Sequence, residues 1–192
     1  MTVLVLGLVL FLGVHSVRIV ADDWRSAQIA RLGERKWKRT YTFVSIAGLA
    51  LIVWGYALAR SDPIVLWPPL EGSRALAAAL TLPSFVLLAA GNVPRNALKA
   101  KLHHPMVIGV AVWALGHLFA NGTLADLLLF GGFLVWALLA WRAAAQRDRA
   151  AGTTYAPGSA RGTAIAAIGG LLLWLLFALW AHRFLFGVAP FA

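Results

Sequence analysis

Residues 163–186 read TAIAAIGGLLLWLLFALWAHRFLF, and the first formally charged side chain in the run is Arg183. A helix needs about 20 apolar residues to cross a hydrocarbon core roughly 30 Å thick, and this stretch supplies them. Its Leu and Ala residues follow one another without alternation, whereas a barrel strand alternates lipid-facing and lumen-facing side chains. A helix also satisfies each backbone N–H and C=O internally, which lipid demands. The stretch therefore reads as a transmembrane helix.

Five similar runs precede it: Val3–Val20, Tyr41–Ala59, Ala75–Ala90, Met106–Ala120 and Leu124–Trp141. The third and fourth are short. Asn121-Gly122-Thr123 separates the fourth from the fifth and reads as a tight turn between antiparallel helices. Over the whole chain, 61% of residues are apolar and only 12% charged. Soluble domains carry about a quarter charged residues, so an ordinary water-facing surface cannot be covered. The expected fold is all-α, a polytopic membrane protein with six transmembrane helices in a single domain spanning residues 1–192.

Placement of the basic residues gives an independent reading, because Lys and Arg favour cytoplasmic loops. The end of the first run and the segment after it carry Arg18, Arg25, Arg31, Arg35, Lys36, Lys38 and Arg39. Arg95, Lys99 and Lys101 lie between the third and fourth, and Arg142, Arg147, Arg149 and Arg161 between the fifth and sixth. Only Arg60, Arg74 and Arg183 fall on the opposite side. This partition puts both termini outside the cytoplasm, in a bacterial inner membrane. The net charge of +10 is then explained by anchors lying against anionic headgroups. No nucleic-acid recognition motif accompanies it, so nucleic acid is not an expected partner. Met1-Thr2-Val3 lacks a basic n-region, so the first helix is expected to be retained. With no Cys there is no disulfide, thiolate metal site or c-type haem attachment.

Three connecting segments have their own character. Asp22–Arg39 scatters Trp24, Ile29, Leu32 and Trp37 among charges, as an interfacial helix does. Trp67-Pro68-Pro69 suits a rigid bend at the outer interface. Gly152–Gly162 is rich in Gly, Ser and Thr and reads as a mobile loop.

Chemistry at membrane depth must come from the few polar groups there, which are costly and mark functional sites. His15 lies near the inner end of the first helix, with Arg18 and Asp22 continuing its face. His104 lies at the inner mouth of the fourth, before Pro105, a residue favoured in a first helical turn. In the outer half, Trp113, His117 and Asn121 form a polar stripe at i, i+4 and i+8, and His182 lies near the end of the sixth helix. Imidazole is a common haem-iron ligand. Each histidine also has a plainer reading as a hydrogen-bonding residue between helices, and His103 reads as a solvated interfacial side chain. Carboxylate-held metals are not expected, since Asp126 is the one acid near a helix end and no Glu-x-x-His pattern occurs.

Phe11-Leu12-Gly13-Val14-His15-Ser16-Val17-Arg18 resembles the NnrU family of membrane proteins. A more specific likeness is the run from His104-Pro105-Met106-Val107-Ile108-Gly109 through Trp113-Ala114-Leu115-Gly116-His117-Leu118 to Ala120-Asn121-Gly122. It is similar to the family's His-Pro start, Trp-Ala-Leu-x-His centre and Ala-Asn-Gly end. The family looks like the bacterial branch of a group that includes plant 15-cis-zeta-carotene isomerase, a haem b protein. The resemblance implies haem b, with His15 and His104 as iron ligands, Arg18 near the propionates, and His117 as the rival ligand. The Cys that the relative carries three positions before the His-Pro histidine is replaced by Lys101, which puts thiolate exchange at iron in doubt.

Three functional readings are in view. One is a haem protein, either a redox-gated isomerase of an apolar polyene, with Trp113 and Phe side chains lining its pocket, or a factor linked to denitrification. A second is a methyltransferase of small thiols, although the chain ends at Phe191-Ala192 without a further polar donor-binding motif. The third is a non-catalytic assembly factor for respiratory reductases. The partners expected in every case are the lipid bilayer and, for the enzymes, a small molecule.

Overall fold

The computed structural model describes residues 1–191. These form helices α1 (Thr2–Val20), α2 (Asp22–Leu32), α3 (Glu34–Ser61), α4 (Ser73–Asn92), α5 (Ala97–Leu102), α6 (Pro105–Ala120), α7 (Leu124–Ala151), α8 (Ala160–Leu176) and α9 (His182–Phe186). A π-helical turn, Phe177–Ala181, joins the last two without a break. No β-strand occurs among the described residues. Five segments are long and apolar enough to cross a membrane: α1, α3, α4, α7 and the continuous run Ala160–Phe186. The expected fourth span, α6, is apolar but has only 16 residues.

The chain divides into two compact units, residues 1–66 with 123–132 and residues 67–122 with 133–192.

In the first unit, α1 packs along α3 at backbone distance. A Cβ added at Gly55 would lie 2.3 Å from the Leu4 nitrogen, and one at Gly7 would lie 2.6 Å from the Ile52 nitrogen. Small residues make such approach possible, and close van der Waals contact replaces the hydrophobic drive that lipid does not supply. Leu4 and Ile52 are buried beside them. Between α1 and α3, the expected interfacial helix Asp22–Arg39 is not continuous. It ends at Leu32, because Gly33 adopts φ +80°, and Trp37 belongs to α3. Trp24 and Trp37 still meet edge to face, with centroids 5.9 Å apart. Helix α3 therefore starts at Glu34, well ahead of its apolar run, and the basic residues before Tyr41 are helical.

In the second unit, α4 packs against α6 and α8. Ser84 is fully buried and donates to the Gly109 carbonyl at 2.8 Å, tying α4 to α6. A Cβ on Gly170 would lie 2.4 Å from the Val86 Cα, so α8 also reaches α4 at backbone range. The connection between α4 and α5 is built around Asn96, which is fully buried. Its side-chain N–H group donates to Ala90 and Val93 carbonyls, and its Oδ1 accepts from the Lys99 N–H as an N-cap.

The loop before α8, expected to be mobile, is fastened at its end to this same connection. Ser159 donates to the Arg95 carbonyl from both backbone (2.7 Å) and hydroxyl (3.0 Å), and the Ala97 N–H donates to the Thr163 hydroxyl. Gly158 and Gly162 lie so close to residues 94–97 that a Cβ on either would overlap the backbone there. Flexible composition is used here for close approach.

Candidate functional site

Polar side chains gather in three places in the first and second units, and each is built by a local device. The first is His15, on α1. Its Nδ1 donates to the Phe11 carbonyl one turn back at 2.7 Å. The Phe11 ring stacks on the imidazole at 4.2 Å, and the Tyr41 ring stands 5.1 Å away. The tautomer that donates from Nδ1 carries its lone pair on Nε2. Arg18, which the sequence places on the same side, lies 3.9 Å from Asp22, and Asp22 is 3.5 Å from Arg25.

The second place is the start of α6. Helix α5 ends at His103, which takes φ +62°, an uncommon conformation for a non-glycine residue. His104 follows as the N-cap, and Pro105 occupies the first turn, as its fixed φ favours. This abrupt turn sets the two histidines beside Asp148 of α7 and Tyr155 of the following loop. His104 Nε2 lies 2.8 Å from Asp148 Oδ2. That nitrogen is buried, and the carboxylate sits close to it but off the line of an aligned N–H bond. Tyr155 donates its hydroxyl to the same Oδ2 at 2.6 Å. The His103 and Tyr155 rings stack at 4.3 Å and 6°, while His104 meets the Tyr155 ring edge-on at 6.1 Å. Loss of hydration, then the bond to Asp148 and its charge, push the Tyr155 hydroxyl up to about 12. It remains a protonated donor at any physiological pH.

His117 makes the third place, lower on α6. It repeats the pattern of His15: its Nδ1 donates to the Trp113 carbonyl at 2.9 Å, and the Trp113 ring lies 4.9 Å away. Asn121 donates to the His117 carbonyl at 2.8 Å, and Phe133 meets Trp113 edge to face at 5.6 Å. The stripe Trp113, His117 and Asn121 is thus joined by hydrogen bonds one turn apart. His182 donates from Nδ1 to the Val188 carbonyl at 2.7 Å, a helix-ending contact. Among the described residues no group of three or more His, Asp or Glu is arranged to hold a metal ion.

His15 belongs to the first unit, and His104, His117, Trp113 and Asn121 to the second. The sequence does not single out Asp148, Tyr155 or Tyr56, which take part in these clusters. Asp148 was hidden between Arg147 and Arg149 in what reads as a basic loop, yet α7 continues through it to Ala151. Tyr155 carries no sequence signal. In the first unit, Asp126 is 4% exposed and accepts from the Tyr56 hydroxyl at 2.5 Å. Its other oxygen accepts from the Thr123 N–H and hydroxyl, and the Asp126 N–H donates back to the Thr123 hydroxyl. Thr123-x-x-Asp126 is a capping-box spacing, so that half was readable.

The second unit also holds an apolar cleft of about 220 Å³ between α6 and α7. Val107, Ile108, Ala111, Val112 and Leu115 line one wall, and Leu134, Ala137, Leu138 and Trp141 the other.

No curated protein and no solved structure matches this chain. One protein-family model, described as "NnrU protein", matches residues 3–190.

Proposed function

The chain belongs to the NnrU family, and we propose that it is a haem b-binding member, held in a bacterial inner membrane by six spans with both termini outside the cytoplasm. The observation that carries this reading is the arrangement of His15. Histidines that bind metals usually donate their second ring N–H to a carbonyl or carboxylate, which fixes the tautomer and the ring plane. His15 does so through Phe11, and aromatic rings flank it. Iron is ordinarily taken by Nε2, the nitrogen that this arrangement leaves with the lone pair.

The other histidines divide on the same test. His117 matches the arrangement of His15. His104 does not, because its Nε2 is the nitrogen set against Asp148. Ligation through that atom requires the carboxylate to move away. Bound haem would supply one-electron chemistry. Redox-gated isomerisation of an apolar polyene is the reaction class the family resemblance suggests for it.

Oxidised and dithionite-reduced absorption spectra of the detergent-purified protein, expressed with ample haem, test the reading. The expected result is a Soret band with resolved α and β bands on reduction. In His15→Ala the band is expected to fall below a tenth of wild type at unchanged membrane insertion. Parallel spectra of His104→Ala and His117→Ala show whether either histidine is also needed for the band. A featureless wild-type spectrum, or full haem occupancy in His15→Ala, overturns the assignment.

A further inference from the structure

The apolar cleft and the His104–Asp148 pair lie on the same helix faces. On α6, Val107, Ile108, Ala111, Val112 and Leu115 follow His104 at i+3, i+4, i+7, i+8 and i+11, the spacing of a single helical face. On α7, Leu134, Leu138 and Trp141 lead to Ala145 and then Asp148 by steps of four, three, four and three. Both walls of the cleft thus run to the point where His104 Nε2 and Asp148 Oδ2 are 2.8 Å apart. The residue between Trp141 and Asp148 on this face is alanine, so no large side chain on it separates the cleft from the pair.

The two ends select opposite halves of one molecule. Leu115, Leu138 and Trp141 are exposed, and in a bilayer that exposure is to lipid, so an apolar chain reaches the cleft sideways. The polar end offers acceptors. Asp148 accepts from Tyr155, and His104 Nδ1 makes no hydrogen bond among the described residues. An anionic headgroup is repelled by the carboxylate, and a quaternary amine has no proton to donate. A neutral, flat, hydroxyl-bearing ring meets both demands, and Trp141 and the Tyr155–His103 stack supply flat surfaces near it.

We propose that the cleft and the polar pair form one site for a hydroquinone headgroup on an isoprenoid or alkyl tail. The tail lies along Val107–Leu115 and Leu134–Trp141, and the ring hydroxyls donate to Asp148 and His104. This site does not rest on the haem reading. A featureless haem spectrum leaves it standing, and its own failure leaves the spectrum unaffected.

Binding of decylubiquinol, kept reduced, to the full chain in lipid nanodiscs tests it, with decylbenzene as a tail-only competitor. Wild type is expected to bind saturably at one site that decylbenzene does not displace. Asp148→Asn is expected to raise Kd about tenfold, the loss of one charge-assisted hydrogen bond. Tyr155→Phe raises it less, by freeing the carboxylate to turn. Ala111→Phe fills the cleft and abolishes saturable binding, and Val112→Trp replaces it if that variant is not monodisperse. Wild-type affinity in both Asp148→Asn and Tyr155→Phe overturns the proposal, as does displacement by decylbenzene, because the cleft then takes any apolar chain. Absence of saturable binding to wild type overturns it outright.

Discussion

Replacing Gly55 with valine is expected to destabilise the first unit by about 3 kcal/mol, the upper end of the range for overpacking. A Cβ at this position would lie 2.3 Å from the Leu4 nitrogen and 2.6 Å from its Cα, which are backbone atoms that no rotamer change can move aside. Leu4 is itself fully buried, so α1 must slide or tilt as a whole. Gly13, on the partner helix α1, is the control, with nothing within 4 Å of its added Cβ. Gly13→Ala is expected to be neutral or stabilising by up to about 1 kcal/mol, since alanine is the better helix former. Thermal unfolding in detergent, read with size-exclusion profiles, separates the two. Equal melting of Gly55→Val and wild type would mean that α1 and α3 do not pack this closely.

The second large effect is expected at Asp126. Its carboxyl serves the Tyr56 hydroxyl on one oxygen and the Thr123 backbone and side chain on the other. Asp126→Ala removes the carboxylate half of the capping box, which accepts from Thr123, a loss of about 1 kcal/mol. It also strands the Tyr56 hydroxyl, which costs about a further 1–3 kcal/mol. Tyr56→Phe in the alanine background is expected to recover part of that loss, because the orphaned hydroxyl goes with it. Asp126→Asn keeps two acceptor positions on one oxygen and is expected to fall between. A melting temperature for Asp126→Ala within a degree of wild type would show that these bonds contribute nothing net.

Much of this architecture could be read from hydropathy. The centres of all six apolar runs are helical, and α6 begins at Pro105 as the His-Pro pair suggests. The ends were less legible for a physical reason. Hydropathy marks where a helix leaves lipid, whereas helicity persists as long as the backbone ladder does. So α3 begins at Glu34 and α7 runs to Ala151, both carrying charges outside the apolar run. That extension is what delivers Asp148 to His104. The Gly152–Gly162 segment misled for a related reason. Glycine there serves two backbones in close contact, and the partner, residues 94–97, is remote in sequence. His15 and His117 stood out because imidazole is rare at depth. Tyr56 and Tyr155 did not, because a tyrosine at an interface is ordinary until its acceptor is known.

The wide turn at Phe177–Ala181 bears on how this chain tolerates change. A π-helical turn holds one more residue than the α-helical turn it replaces, and such turns occur mostly as single insertions within α-helices. Removing one residue there would restore an even spiral from Ala160 to Phe186 and rotate all that follows by about 100°. His182 would swing away from Val188, and Phe184 and Phe186 would face new neighbours. The last turns of the chain are therefore indexed by length as much as by residue type. A homologue one residue shorter in this stretch would present a different terminal face from the same side chains.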